Sequence, residues 1–529
     1  MTGRPARFTE VSSLAVAVVG LIAFAYLTVP AVDSDYGWHI ANGRHLVDRQ
    51  LFAGVDTYSW TARGAVWIAH EWLTEGVMAF LHDSLGPTAN SLLAGVLGSA
   101  AILLTVARLR FRGFGVWIAI GGGILALLDA GTIVSVRPLV FEVFAVALLL
   151  WLIDRWRSGA LRTGPFVAAV LLEFLVWANA HGSFVLGLGI IGAAWVSLVV
   201  ERHPRARSLG LVGLGAGLAT LANPFGVRLY AYVLSAVTGS RLGLIAEWAP
   251  PDLASSMWWA FVVALVLAGI ATSVRVSALP PLAAMIGAPG AIGRPRRRMP
   301  DIRLDDLLIA AVMAVAGVQH GYHAGLFGIA AAPLVAAGVV VLVGRGPRFS
   351  GRKIDPDGPG LTPTARRRTN LGLLAIITFL TATLVWARVG PTNTDAAIRA
   401  EYPVGALPAL DSLAAASAGG FCLFNSYGWG GWLEMVRPEI PVFIDGRSEV
   451  YGDEQIERYV RISGVGAGWA EAFDVTGANA ALISSTGELA GALRTSRGWT
   501  SLYEDDVSVL LVPGARFGAF LPAGSSKTC

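Results

Sequence analysis

The segment VSSLAVAVVGLIAFAYLTVPAVDSDYGWHI, residues 11–40, joins a long apolar run directly to a pair of carboxylates. The run from Val11 to Val32 is long enough for a transmembrane helix, which needs about 20 apolar residues. It is too long for the apolar core of a signal peptide, and no convincing small-residue cleavage site is evident. We therefore predict that the first helix enters the membrane and that Asp33 and Asp35 lie where it leaves.

The two carboxylates form an Asp-x-Asp pair at this membrane exit. In an extended segment, side chains two residues apart point the same way, so both acids can face one spot. Such a pair can hold a divalent cation, Mg²⁺ or Mn²⁺, or one acid can act as a base while the other orients it. The structural alternative is that Asp33 or Ser34 only caps the helix predicted over 36–46.

The composition is that of a membrane protein. The chain has 529 residues, of which 54% are hydrophobic and 14% charged, with a mean hydropathy of +0.61. Soluble domains carry about 25% charged residues, so there is too little charge here to coat a globule in water. The pattern predicts about eleven transmembrane helices, near 11–32, 88–107, 115–135, 139–153, 164–179, 183–200, 208–223, 256–274, 306–320, 325–344 and 369–388.

The basic residues cluster in every second loop between these runs, as in the arginines at 108, 110 and 112. This asymmetry predicts a cytoplasmic N-terminus and an extracytoplasmic C-terminus. We expect the membrane to be the cytoplasmic (inner) membrane of a bacterium. The asymmetry also accounts for the net charge of +4 without a nucleic-acid partner. No basic face alternates with exposed aromatic residues, as grooves that bind single strands require.

We divide the chain into a transmembrane module, residues 1–388, with an extracytoplasmic first loop at 33–86, and an extracytoplasmic tail, residues 389–529. In the tail, short apolar runs alternate with helical patterns, which predicts a small α/β domain. The predicted strands are Phe421–Phe424, Pro441–Ile444, Ala480–Ile483 and Val507–Val512, and the predicted helices are Gly452–Ile462 and Glu488–Thr495. The two cysteines, Cys422 and Cys529, are interpreted as unpaired thiols.

Further polar residues fall on the same predicted side of the membrane. Polar groups at membrane depth are costly and tend to face a cavity, and an arginine fork matches phosphate oxygens. The candidates for binding a phosphate or another part of a substrate are His39, His70, Glu71, Arg137, Asn179, His181, Arg228 and Glu247. Each has a structural alternative: arginines snorkel to headgroups, and lone histidines or an asparagine often hydrogen-bond broken backbone.

A many-spanning chain whose first outer loop opens with Asp33-Ser34-Asp35 resembles the GT-C glycosyltransferases. That superfamily includes protein mannosyltransferases, oligosaccharyltransferases and lipid A aminoarabinose transferases. The broader pattern is similar to a bacterial group related to them, through Trp38-His39, His70-Glu71-Trp72-Leu73, Arg137-Pro138, Trp177–Gly182 and Phe443–Arg447. The His-Pro-Pro segment of protein mannosyltransferases is absent, which disfavours a protein acceptor.

The resemblance implies that the loop acids Asp33 and Asp35 lie at the active site and position an acceptor or a metal. It implies a polyprenyl-phosphate-linked sugar as donor and an extracytoplasmic glycan, lipid or protein as acceptor, with membrane lipid around the helices. The alternatives are an O-antigen-ligase-like enzyme, whose large outer loop usually lies mid-chain, and a transporter or flippase. Transporters usually show internal repeats and polar residues at mid-depth, and neither is evident in this sequence.

Overall fold

The structure is a computed structural model, and it describes residues 11–46, 54–238, 249–277, 302–345, 362–417 and 422–514. Most of the described residues are helical, and a small sheet lies near the C-terminus. The helices are α1 Val11–Leu27, α2 Tyr36–Arg44, α3 Trp72–Leu85, α4 Pro87–Phe111, α5 Val116–Ala130, α6 Leu139–Arg157, α7 Thr163–Ala180, α8 Phe184–Val200, α9 Ala206–Ala219, α10 Arg228–Thr238, α11 Trp259–Ser277, α12 Leu304–Gln319, α13 Gly321–Ala330, α14 Ala332–Arg345, α15 Pro363–Val389, α16 Pro391–Glu401, α17 Leu407–Ala416, α18 Tyr427–Val436, α19 Ser448–Ser463, α20 Trp469–Thr476 and α21 Glu488–Arg497.

Every predicted transmembrane segment coincides with a helix or with a bent pair of helices. Among the described residues, four helices are long and apolar enough to cross a membrane, or five if the bent pair α13 and α14 counts as one span. Several others, such as α1, α5 and α8, are apolar but shorter. The chain is therefore a helical membrane protein, and the number of eleven spans stays a prediction.

The two ends of helix α6 carry different polar clusters. At its C-terminal end, Asp154 accepts from Arg108 at 2.8 Å, Arg112 at 3.2 Å and Arg303 at 2.5 Å. Three of the arginines that the sequence pattern assigns to topology thus also hold α4, α6 and the start of α12 together. At the N-terminal end of α6, Arg137 reaches the first loop.

The sheet of the tail has four strands in the order β1-β2-β4-β3. Strands β1 (Leu423–Asn425) and β2 (Ala480–Ser484) are parallel, whereas β4 (Ser508–Pro513) is antiparallel to both β2 and β3 (Trp499–Glu504). Three of the four predicted strands and both predicted helices are present. The predicted strand at 441–444 is wrong, because Val442 forms only an isolated bridge to Ser59 of the first loop.

The tail and the first loop share backbone hydrogen bonds. Trp60 donates its amide to Val442 O at 3.0 Å, and Val442 donates its amide to Tyr58 O at 3.2 Å. The apolar residues at 441–444 thus pair with the first loop instead of with the sheet. The interpretation of Cys422 as an unpaired thiol is also wrong, since its sulfur is disulfide-bonded. Cys529 lies outside the described residues.

Candidate active site

Asp33, Asp35 and Arg137 lie together where α1 ends and α6 begins. Arg137 reaches Asp35 Oδ2 at 3.1 Å through Nη1 and Asp33 Oδ2 at 3.9 Å through Nε. The Asp35 amide donates to Asp33 Oδ1 at 2.9 Å, which fixes the turn between the two acids. The side chains of Asp33, Asp35 and Arg137 are 15, 20 and 12% exposed, so the group is shielded but open to a reactant.

The tail covers this group. Tyr402 donates its hydroxyl to Asp33 O at 2.8 Å, and Gly446 lies directly against the Asp35 carboxylate. A methyl group on Gly446 would be 3.0 Å from both Asp35 Cγ and Trp38 Nε1. Only a glycine therefore lets the Asp445-Gly-Arg447 segment approach Asp35 so closely.

A second polar group lies beside the first, inside the packed pair α2 and α3. His39 Nδ1 lies 3.0 Å from Glu75 Oε1 and 3.7 Å from Glu71 Oε2. All three side chains are buried, and they offer ligand atoms within 4.8 Å of one another. Glu71 directly precedes α3 and Glu75 lies in its first turn, so the two carboxyl groups, four residues apart, lie on the same side of the helix.

Burial controls the ionisation of this group. Burial raises the pKa of Glu71 well above its ordinary value, and the nearby Glu75 carboxylate adds to the rise. Burial also raises the pKa of Glu75 to about 8 and lowers the pKa of His39 well below 6.5. With no cation beside it, the group therefore favours protonated carboxyls and a neutral imidazole.

A chain of ionisable side chains runs from this group into the bundle. His181, in the turn between α7 and α8, has Nε2 at 3.2 Å from Glu71 Oε1 and Nδ1 at 3.5 Å from Glu142 Oε2. His70 Nε2 lies 3.7 Å from Glu71 Oε1. Glu142, on α6, accepts a hydrogen bond from the hydroxyl of Tyr322 on α13.

The other predicted residues are used differently. Asn179 accepts from Trp72 Nε1 at 2.8 Å and donates to two carbonyls, Leu175 O and Ala222 O, so its amide joins helices. Arg228 is exposed at the start of α10, next to Gly54 of the first loop. Glu247 lies outside the described residues.

Arg447 forms a buried ionic cluster between the tail and the first loop. It is 0% exposed and contacts Asp445 at 2.6 Å, Asp56 at 2.8 Å and Glu434 at 3.2 Å. Its guanidinium also lies 4.8 Å from the centre of the Tyr58 ring. Asp445 and Arg447 therefore form a structural ion pair.

Sequence reasoning missed Glu75, although a signal was present. Glu75 follows Glu71 by one helical turn, in a loop that already offered two histidines and several acids. The partner of Glu75, His39, is 36 residues away in sequence, and only the packing of α2 on α3 brings them together.

No protein-family model matches this sequence, and no curated protein matches it. Among solved structures, the chain is similar to the archaeal oligosaccharyltransferase AglB from Archaeoglobus fulgidus in complex with an inhibitory peptide and a dolichol-phosphate. The TM-score is 0.46 at 12% identity, over 92% of this chain and 70% of AglB. A second structure of that oligosaccharyltransferase, tethered to an acceptor peptide containing the NVT sequon, gives 0.46 at 13% identity over the same shares. Scores this low establish neither a family nor an activity for this chain.

Proposed function

We propose that this chain is a membrane glycosyltransferase of the GT-C type. It would transfer a sugar from a polyprenyl-phosphate donor to an extracytoplasmic acceptor, a glycan or a lipid. The observation that carries the proposal is the meeting of Asp33, Asp35 and Arg137 in a shielded but accessible group, at the junctions of apolar helices. A carboxylate base beside a guanidinium suits attack on a sugar whose leaving group is a phosphate.

The two acids have different roles in this proposal. Asp35 is ion-paired to Arg137 at 3.1 Å, so its charge orients the guanidinium. Asp33 is farther from Arg137, at 3.9 Å, so its carboxylate interacts less strongly with the guanidinium and its lone pairs are more available to accept a proton. We assign Asp33 as the base that takes the proton of the acceptor hydroxyl. The hydroxyl oxygen then bonds to the anomeric carbon, the bond from that carbon to the phosphate oxygen breaks, and the polyprenyl phosphate leaves beside Arg137.

The Asp33 and Asp35 carboxylates fit a divalent cation poorly. The guanidinium of Arg137 already lies against both of them and supplies the positive charge that a cation would bring. A metal ion at this position would meet like charge at short range, which is unfavourable. The proposed transfer step therefore uses no metal at the Asp33–Asp35 pair.

The proposal is tested with purified protein and a panel of labelled polyprenyl-phosphate sugars. We expect Asp33→Asn to lower kcat for transfer roughly 10²- to 10⁴-fold, the usual loss for a general base, while donor binding persists. Arg137→Lys should weaken donor binding as well, because lysine lacks the fork that matches phosphate. The control is Asp395→Asn, because Asp395 is an exposed residue of α16. This substitution should change neither kcat nor donor binding.

Two outcomes would overturn the proposal. One is that the wild-type protein binds none of the donors. The other is that Asp33→Asn and Asp35→Asn both leave transfer unchanged.

A transporter is the second candidate, and one observation favours it. Glu142, His181 and Glu71 form a continuous run of ionisable groups into the helix bundle, as proton relays do. The test is proton-coupled uptake of a solute into proteoliposomes. Uptake that Glu142→Gln abolishes, by a wild-type protein that shows no transfer activity, would favour a transporter over a transferase.

A further inference from the structure

We propose that His39, Glu71 and Glu75 form a binding site for one divalent transition-metal ion. This site is separate from the Asp33–Asp35 pair, where the sequence placed the metal. The proposal does not depend on the transfer reaction, because metal binding is measured without donor or acceptor. The metal site and the proposed function can therefore be tested independently of each other.

The distances suit a metal ion. Imidazole nitrogens and carboxylate oxygens bind Zn²⁺ at about 2.0–2.2 Å, which puts neighbouring ligand atoms of a tetrahedral site roughly 3.4 Å apart. His39 Nδ1 lies 3.0 Å from Glu75 Oε1 and 3.7 Å from Glu71 Oε2, on either side of that spacing. The ligand atoms of all three residues lie within 4.8 Å of one another, so rotations of the side chains can bring them to one ion.

A buried carboxyl oxygen without a partner also favours a cation at this site. Glu75 is 1% exposed, and its Oε2 has no hydrogen-bond partner within the described part of the chain. Buried carboxylates without partners are costly, and binding a metal is one of the ways in which proteins offset that cost. At the Asp33–Asp35 pair Arg137 already fills this role, whereas no described ion pair joins Glu71 or Glu75 to an arginine or lysine.

The surroundings hold the ligands as metal sites require. Asn42 donates to Glu75 Oε1 at 3.1 Å, and His181 lies 3.2 Å from the far oxygen of Glu71, Oε1. His181 is held in turn, with Nδ1 at 2.7 Å from the hydroxyl of Ser183. Such outer contacts orient the ligating groups, and losing one typically weakens metal affinity about 10- to 100-fold. Asn42 and His181 are therefore assigned as positioning residues.

The ligand set indicates the kind of ion. One imidazole with two carboxylates favours a first-row transition metal, because Mg²⁺ and Ca²⁺ prefer oxygen ligands alone. We use Zn²⁺ as the probe and Mg²⁺ as the competitor. A bound ion would neutralise Glu71 and Glu75 and fix α2 against α3, next to the group formed by Asp33, Asp35 and Arg137.

The test is equilibrium dialysis of the purified full chain against Zn²⁺ after treatment with a chelator, with metal counted by mass spectrometry. We expect one tightly bound ion per chain, and an equal concentration of Mg²⁺ should not displace it. Glu75→Gln and His39→Gln should each weaken binding about tenfold or more. Glu173→Gln is the matched control, since Glu173 is also a buried glutamate but lies on α7, outside the ligand group, and it should bind as the wild type does.

Two further measurements keep the proposal falsifiable if a variant fails to fold. Asp33→Asn and Asp35→Asn should retain the ion, and loss of the ion from both would place the metal at the Asp33–Asp35 pair and overturn the proposal. X-ray absorption of Zn²⁺ bound to the wild-type chain should show imidazole scattering. A spectrum with oxygen ligands only, or no stoichiometric binding, would also overturn it.

Discussion

At the scale of single residues, Arg447 is the centre of an ionic cluster with three acidic partners. It is fully buried and contacts three carboxylates, those of Asp56, Asp445 and Glu434, which come from the first loop and from two parts of the tail. Removing one member of a buried ion pair usually costs about 3–5 kcal/mol, because the partner charge is left without compensation. Arg447 therefore joins two segments that are distant in sequence.

We predict that Arg447→Ala lowers the stability of the tail by about 3–5 kcal/mol. We expect limited proteolysis to cut the first loop and the tail faster than in the wild type, and the unfolding midpoint in detergent to be lower. Arg458→Ala is the control, because Arg458 forms an exposed pair with Glu454 that contributes at most about 1 kcal/mol. Equal effects of the two substitutions would contradict the role of Arg447.

The same cluster predicts a pH dependence. Burial raises the pKa of Glu434 well above 4.5, and the nearby Asp445 carboxylate raises it further. A carboxyl whose pKa is raised by folding stabilises the folded state fully below its unfolded pKa, and that contribution is lost as the pH rises. The free energy of unfolding should therefore fall as the pH rises above about 4.5, by at most about 1.4 kcal/mol per pH unit for this one group.

The measurement is the unfolding midpoint as a function of pH for the wild type and Glu434→Gln. The variant should show a shallower decline on the alkaline side, because a glutamine cannot ionise. Glu439→Gln, an exposed position on the same tail, is the control and should follow the wild-type curve. Parallel curves for the wild type and Glu434→Gln would contradict this prediction.

At the scale of elements, the close approach of α2 and α3 depends on one glycine. Gly43 is one turn after His39 on the same face of α2, and a methyl group there would lie 2.7 Å from Ala79 Cβ. It would also lie 2.6 Å from the carbonyl carbon of Glu75. The missing side chain is therefore what lets His39 reach Glu75.

We predict that Gly43→Ala separates the two helices and weakens Zn²⁺ binding about tenfold or more, in the range seen when metal ligands lose their support. Gly121→Ala on α5 is the control, because a methyl group there meets no atom within 4 Å and alanine favours helix. If Gly43→Ala bound Zn²⁺ like the wild type, the proposed metal site would not depend on this packing.

Sequence patterns predicted most helices because each needs only a local apolar run, as in α4 and α7. They could not predict the pairing of Val442 with Ser59, which joins residues far apart in the chain. For the same reason the Asp33–Asp35 pair was found directly, since its spacing is local, whereas the group of His39, Glu71 and Glu75 was not. The strand β3 escaped notice because its residues are half exposed and lack an apolar run.

At the scale of the whole molecule, Gly431 on α18 is explained by its contact with α2. The segment Tyr427-Gly-Trp-Gly-Gly-Trp432 begins α18 and packs against α2. Gly431 faces Trp38, where a methyl group would lie 2.9 Å from the ring, and Trp432 stacks on Tyr402 with ring centres 5.3 Å apart. Close packing of this kind requires glycine on both helices.

Gly37 on α2 lies against Gly431 on α18. A substitution at Gly37 therefore tests whether the docked tail completes the site formed by Asp33, Asp35 and Arg137. A methyl group at Gly37 would lie 2.5 Å from the carbonyl carbon of Gly431 and 2.6 Å from Trp432 Cα, and backbone atoms cannot move aside. We predict that Gly37→Ala displaces α18, exposes the tail to protease and lowers transfer activity together with it. Gly491→Ala, in a tail helix where the new methyl group meets no atom within 4 Å, should leave both unchanged.

Because Gly446 and Tyr402 bring the tail onto Asp35 and Asp33, loss of docking should open the group of Asp33, Asp35 and Arg137 to water. If Gly37→Ala released the tail but kept full activity, the tail would be a separate cover and no part of the catalytic site.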